Sequence, residues 1–259
     1  FANSCKQGVV GCIDDAGVAR LKSKVHPDLK FVSYGFSNTA DLQLTDAEVI
    51  AGSWQAEVNW QGANLGKLIL QVPGEHNLLN AAAVIATTLL MGLDPAQIIS
   101  GLKLFTGTRR RFEYRGSGNQ VAVYDDYAHH PTEVTATLNA ARLVAGDGKV
   151  IVAFQPFRYY RVNSFLPDFA AALCLADKVV VMETYAPGES AIAGAGGAAV
   201  AAAVDLPVGD IIFEPSFLKV IEIIINWAAP GDIVLTLGAG DMAMLAPEIV
   251  AGLQRLTNG

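Results

Sequence analysis

Two different rhythms of apolar and polar residues divide this chain. In the first part, VVGCID (residues 9–14) is a nearly unbroken apolar run that predicts a buried strand ending at Asp14 and Asp15. DAGVARLKSKV then predicts a helix, and KFVSYGF another strand. Between residues 40 and 72 the pattern changes to alternation. LQLTDAEVIAG, SWQAEVNWQ and KLILQV predict antiparallel strands, with Gly62 and Gly66 marking a hairpin turn. GEHNLLNAAAVIATTLLMG follows, a helix with Leu78, Ala82, Ile85 and Leu89 on one stripe, ended by Gly92. Asp94 and Pro95, a capping acid and a proline at the first helical position, start a second helix that runs to about Phe105.

After Glu113 the rhythm is that of a parallel sheet. QVAVYDD, KVIVAFQ, KVVVMET and DIVLTLG are short β-branched apolar runs separated by helical stretches, the pattern of strands covered on both faces. One of those helices opens at Pro131, with Val134, Leu138, Ala141 and Ala145 on one face. Residues 187–210, rich in Ala and Gly, predict a long loop plus a weak helix. The expected fold is α/β throughout: a first domain over residues 1–112 with an antiparallel portion, and a second domain over 113–259 with a mostly parallel sheet.

Composition narrows the partners. A net charge of −7 argues against polyanions such as nucleic acid. No apolar run reaches membrane-spanning length; VIEIIINWAA carries Glu222 and Asn226 and is too short. Cys5, Cys12 and Cys174 have no metal or redox spacing, so no metal site is expected and a reduced, cytoplasmic setting is. FANSCKQG has no signal-peptide layout and reads as the tail of a helix entering a strand, which suggests the later part of a larger protein.

The chemistry-bearing residues gather where strands end. In YDDYAHHPTEV, Asp125 and Asp126 close a strand, Tyr127, His129 and His130 follow, and a helix begins at once. Open α/β sheets bind ligands at that kind of junction. Arg158 and Arg161 follow the strand KVIVAFQP; two guanidinium groups at that spacing either clamp a carboxylate or form surface ion pairs. Arg109, Arg110 and Arg111 lie at the expected domain junction and either neutralise phosphates or make a solvated basic turn. His76, Asn77 and Asn80 open an otherwise apolar helix, either to meet a ligand's polar edge or to cap the helix. LGAGDMA approximates a dinucleotide fingerprint, but the chain ends before the second strand and ribose-binding acid, so a tight strand-to-helix turn explains its glycines. GANLGKL has neither the spacing nor the hydroxyl of a phosphate loop and is read as a hairpin.

In combination, GEHNLLNAAAVIA, GTRRRFE, YDDYAHHPTEV, FQPFRYYR, YAPGE and LGAGD resemble the Mur ligase family, in family order over residues 74–241. The resemblance implies the later part of a central ATPase domain followed by a Rossmann-like carboxyl-terminal domain. It also implies the activity: ATP phosphorylates the lactyl carboxylate of UDP-N-acetylmuramate, and L-alanine attacks the acyl phosphate to form an amide in peptidoglycan synthesis. The cofactors implied are ATP and Mg²⁺, with the Mg²⁺ ligands mainly outside this chain. His76, Asn77 and Asn80 match residues at the adenine, Arg111 one near the phosphates, and Asp126 one that binds ribose. Tyr127, His129, Arg158 and Arg161 match groups near the incoming amino acid. Two positions depart from the family pattern, Phe157 where His is usual and Tyr160 where Thr is usual, which bears on amino-acid choice. With no phosphate loop in its sequence, the chain alone is expected to be inactive. The alternatives are a ligase that couples a recycled murein tripeptide to the same sugar, and a non-catalytic nucleotide-lid module.

Overall fold

The computed structural model describes residues 2–50 and 53–257. Phe1, and Ala51 and Gly52 at the end of a predicted strand, lie outside the described residues. The chain divides into two compact units, Phe1–Thr106 and Gly107–Gly259. The arginine triplet thus belongs to the second unit, ahead of the boundary expected after Phe112.

In the first unit, strands β1 (Val9–Cys12), β2 (Phe31–Gly35), β3 (Leu42–Ile50), β4 (Ser53–Trp60) and β5 (Ala63–Leu70) form one sheet in that order. The first three run parallel and the rest antiparallel, so the change in sequence rhythm is a change in strand direction. Helix α1 (Ala16–Lys22) is capped by Asp15, whose carboxylate accepts the Val18 N–H. The amino terminus is a single 3₁₀ turn at Ala2–Ser4, shorter than the helix tail expected there. Leu42, Leu44, Ala56, Val58, Leu68 and Leu70 present one buried face, and helix α2 (Glu75–Leu90) lays Leu78, Ala82 and Ile85 on it. Leu89, predicted for the same stripe, is only partly buried at the helix end. Helix α3 (Pro95–Leu102) starts at Asp94, which accepts the Ala96 N–H. Gln61 and Gly62, both at positive φ, make the hairpin turn, whereas Gly66 sits at a β-bulge opposite Val58.

The second unit is a doubly wound sheet. Its strands are β6 (Glu113–Gly118), β7 (Val121–Asp126), β8 (Val150–Phe154), β9 (Lys178–Val181), β10 (Ile211–Phe213) and β11 (Ile233–Leu237), in the spatial order β10-β9-β8-β11-β7-β6. All neighbours are parallel except β6 and β7, a hairpin closed by Asn119 and Gln120 at positive φ. Helices α4 (Pro131–Ala145), α5 (Tyr159–Leu173) and α6 (Gly197–Ala203) cover one face, on Val150, Val152, Phe154 and Leu235. Helices α7 (Phe217–Trp227) and α8 (Leu245–Thr257) cover the other, on Ile151, Ala153, Val180 and Val234. Both faces of each central strand are buried, which is why these strands are continuous apolar runs. The long 187–210 segment is a loop followed by the short α6, as expected.

This winding locates a crevice. Strands β7 and β8 feed helices on one face, while β11, lying between them, feeds α8 on the other through a 3₁₀ turn at Asp241–Met244. Connections that part to opposite faces leave room at the carboxyl ends of the strands.

A close backbone approach holds β8 and β11 in register at their opposite ends. A Cβ on Gly148, just before β8, would lie 2.0 Å from the carbonyl oxygen of Gly231. Gly148→Ala should therefore cost about 1–3 kcal/mol of stability, read as a lowered midpoint of urea unfolding. An unchanged midpoint would mean that this approach is not tight.

Candidate active site at the strand ends of the second unit

Asp125 and Asp126 are adjacent in sequence but serve different partners. Asp125 is fully buried, and its carboxylate accepts from Arg110 Nε at 3.0 Å and from the Thr236 hydroxyl at 2.7 Å. Arg110 also donates to the carbonyls of Gly238 (2.8 Å) and Gly240 (3.3 Å), the turn that follows β11. Its own N–H goes to the Glu113 carboxylate at 2.8 Å, its carbonyl accepts the Tyr127 N–H, and its guanidinium lies 4.9 Å from the Tyr127 ring centroid. Of the triplet read as a phosphate patch or a basic turn, Arg110 is thus an internal crosslink. Arg109 and Arg111 are the exposed members, the Arg111 side chain 53% exposed and 3.7 Å from Glu133.

Asp126 receives the loop instead. One carboxylate oxygen accepts the Phe112 N–H at 2.8 Å and the other the Ala128 N–H at 2.7 Å. Burial pushes its pKa above the ordinary carboxylate value, outweighing those two hydrogen bonds and the lesser pull of Arg111 and Thr137. Glu113 moves the other way, held down by the Arg110 N–H, with Arg115 adding to the effect.

The two histidines also divide. His130 is the N-cap of α4: its Nδ1 accepts the Thr132 N–H at 3.3 Å, while Glu133 reaches back to the His130 N–H, a capping box. His129 is turned inward. Its Nδ1 lies 2.8 Å from the Tyr127 carbonyl and 3.4 Å from Glu133, and its ring packs edge-on against Tyr127 and Phe157.

Beyond β8, the turn 155–158 carries Phe157, whose ring lies 6.1 Å from that of Tyr185, with the guanidinium groups of Arg158 and Arg161 at 5.1 and 5.5 Å from its centroid. The predicted pair separates here. Arg158, at positive φ, donates to Glu189 at 3.1 Å and to the Pro187 carbonyl, and Glu189 also takes the Tyr159 N–H that opens α5. Arg161 makes one long bond, 3.5 Å to the His129 carbonyl, and has no carboxylate within 4.0 Å among the described residues. Ion pairing, one of the two readings of this pair, describes Arg158; an anion-ready guanidinium describes Arg161.

In the first unit, α2 begins without a side-chain cap, because Gly74 stands at its N-cap. Asn77 donates to the Pro73 carbonyl at 2.7 Å and accepts from Asn80 at 3.1 Å, so these side chains are tied to each other rather than to the helix's first N–H groups. His76 is partly buried on the first turn. The Asn77 and Asn80 bonds are not caps, and Gly74 offers no side chain to the backbone donors of this helix amino terminus.

Glu133 and Glu189 were not singled out from the sequence, yet each positions two predicted residues. The H-x-x-E spacing from His130 to Glu133 is a capping-box signal legible in advance. The pairing of Glu189 with Arg158 spans thirty-one positions and has no local signature.

Comparison with known proteins gives concordant results. A family model described as Mur ligase, glutamate ligase domain, matches residues 110–240. A UDP-N-acetylmuramate–L-alanine ligase of Acidothermus cellulolyticus is 47% identical over 253 residues, 97% of this chain and 53% of that protein. One of Saccharopolyspora erythraea is 42% identical over 95% of this chain and 51% of its own length. The crystal structure of the Thermotoga maritima UDP-N-acetylmuramate–alanine ligase superposes with a TM-score of 0.75 at 29% identity, over 97% of this chain and 52% of that one. The chain thus spans about half the length of the relatives it matches.

Two measurements test this geometry. Arg110→Ala leaves Asp125 buried with only the Thr236 hydroxyl and should cost about 3–5 kcal/mol, whereas Arg111→Ala, at an exposed pair, should cost about 0–1 kcal/mol; equal losses on urea unfolding would refute the distinction. For Asp126, a raised folded pKa means stability that is fully present below about pH 3.8 and lost as pH rises through the raised value. Asp126→Asn should therefore compare more favourably with the unmutated chain as pH climbs from that acid limit to neutral, seen as a change in the Tm difference. A difference independent of pH would remove the burial effect.

Proposed function

The chain belongs to the Mur ligase family, and from that membership we propose that it is part of an ATP-dependent carboxylate–amine ligase that joins L-alanine to UDP-N-acetylmuramate in peptidoglycan synthesis. The observation that carries this reading is the 47% identity to a ligase of that name, maintained over 97% of this chain. The first domain, expected over residues 1–112 and bounded in the structure at Thr106, then corresponds to the later part of the central ATPase domain, and Gly107–Gly259 to the carboxyl-terminal domain. Among the described residues no helix is long and apolar enough to cross a membrane.

The proposed chemistry is transfer of the ATP γ-phosphoryl group to the muramoyl carboxylate with release of ADP, followed by attack of the amine, which forms the amide and expels inorganic phosphate. Most of the acceleration in such a reaction comes from positioning and charge neutralisation. Arg161 takes the carboxylate of the amino acid, since it is the strand-end guanidinium with no acid of its own among the described residues. Arg158, held by Glu189, sets the turn that presents Arg161 and adds its charge to the same ring. His129 and Tyr127 wall the amino-acid side. Arg111 faces outward for phosphate oxygens, and Asp126, which takes the Phe112 and Ala128 N–H groups and the Thr137 hydroxyl, has acceptor capacity left for a ribose hydroxyl. His76, Asn77, Asn80 and the uncapped start of α2 suit the polar edge of an adenine. Among the described residues no group of three or more His, Cys, Asp or Glu could hold a metal ion.

The complete polypeptide carrying this chain should release phosphate from ATP only when UDP-N-acetylmuramate and L-alanine are both present; release with neither, or with another amine alone, would overturn the assignment. Arg161→Ala should raise the KM for L-alanine about tenfold or more while leaving the KM for ATP nearly unchanged. The 259-residue chain by itself should show no turnover, because its sequence holds no G-x-x-x-x-G-K-[ST] loop.

A further inference from the structure

Gln155 directly follows β8, in the crevice between β8 and β11, and is 8% exposed. Its Oε1 is buried and has no hydrogen-bond partner, the one such side-chain atom among the described residues. A buried carbonyl left unmet is costly, and native structures carry few of them without a reason. Nothing in the packing of the sheet requires an amide here, since the preceding residues of β8 are all apolar.

The surroundings point to what meets it. Oε1 faces Gly240, where a Cβ would lie 2.5 Å from it and 3.0 Å from the ring of Tyr185. The Tyr185 ring lies against Phe157, and Phe157 carries the Arg161 guanidinium. An acceptor without a donor and a guanidinium without a carboxylate thus flank one aromatic pair. An α-amino acid presents the complementary set, an N–H donor and a carboxylate on neighbouring atoms.

We propose that Gln155 positions the attacking amine, its Oε1 accepting an N–H of the amino acid whose carboxylate Arg161 holds. This rests on the amine-ligating reading given above. The choice of an amide over an acid has a physical reason. A carboxylate at this spot would stabilise the ammonium form, which has no lone pair for attack, whereas a neutral acceptor orients the amine without that penalty. Gly240 lacks a side chain so that the amide can occupy the space beneath the turn.

The test uses steady-state kinetics of the complete polypeptide. Gln155→Met keeps the volume and removes the acceptor; it should raise the KM for L-alanine about tenfold, leave the KM for ATP within about twofold, and keep or raise Tm. Gln155→Glu should shift the acid limb of the kcat/KM profile to higher pH. Gly240→Ala, which presses on the amide without altering residue 155, should reproduce the KM rise and stands in if Gln155→Met does not fold. An unchanged KM for L-alanine in the folded variants, or a lowered Tm with unchanged kinetics, assigns Gln155 to packing and overturns the proposal. Absence of ligation by the unmutated protein would overturn the functional reading and this inference together, whereas ligation with an unmoved KM overturns this inference alone.

Discussion

The second unit depends on one ion pair whose acid is fully buried. Arg110 reaches Asp125 at the end of β7 and, with the same guanidinium, two carbonyls of the turn after β11. The fully buried Asp125 carboxylate is tolerable because the guanidinium answers it, and that guanidinium, half-buried, is itself held by the two carbonyls and the Tyr127 ring. The pair thereby fixes three pieces of chain that share no local sequence: the entry loop, the β7 end and the glycine turn. It also accounts for why Gly107–Phe112 belongs to the second unit although it precedes that unit's first strand. The strained positive φ of Arg110 and Phe112 is sustained by this network and by the Asp126 carboxylate.

Around that crosslink the polar residues at the strand ends fall into two groups. Asp125, His130, Glu133 and Glu189 are occupied in holding backbone and side chains in place. Arg161, Arg111 and Gln155 are left with long bonds, exposed charge or an unmet acceptor. Such a division follows from what a site needs: groups kept ready for a ligand must be oriented by neighbours that are themselves satisfied. The adjacent carboxylates of YDDY illustrate it, since alternation along β7 sends Asp125 into the sheet and leaves Asp126 to gather the loop.

The sequence carried the strands well wherever periodicity was strong. Unbroken apolar runs became the central parallel strands, alternating runs became β3, β4 and β5, and the proline-opened helices start where Asp94 and His130 cap them. What it did not carry is pairing over distance. Strand β6 was missed because Glu113–Gly118 has little apolar content and is held by hairpin pairing with β7. Gly66 looked like turn punctuation because a bulge and a turn make the same demand on φ. The arginines show the limit most clearly. Arg110 and Arg111 are neighbours of one type, yet one is a core crosslink and the other faces outward, and only the partner at Asp125 decides which. Spacing likewise could not separate Arg158 from Arg161, because Glu189 arrives from a distant loop.

Phe157, one of the two positions expected from the sequence to depart from the family pattern, becomes intelligible in the same terms. Two guanidinium groups lie within 5.5 Å of its ring centroid. An aromatic face carries negative quadrupole potential and attracts both cations, whereas a protonated imidazole in that position would add a third positive charge beside them. The ring also stacks on Tyr185 and receives the edge of His129, so its loss of a hydrogen-bonding nitrogen is offset by close apolar contact. With the ring unable to donate or accept, polar recognition on this side of the crevice passes to the groups that flank it. Gln155 and Arg161 are the two with capacity to spare, which is why the apolar substitution and the unpaired amide are best understood together.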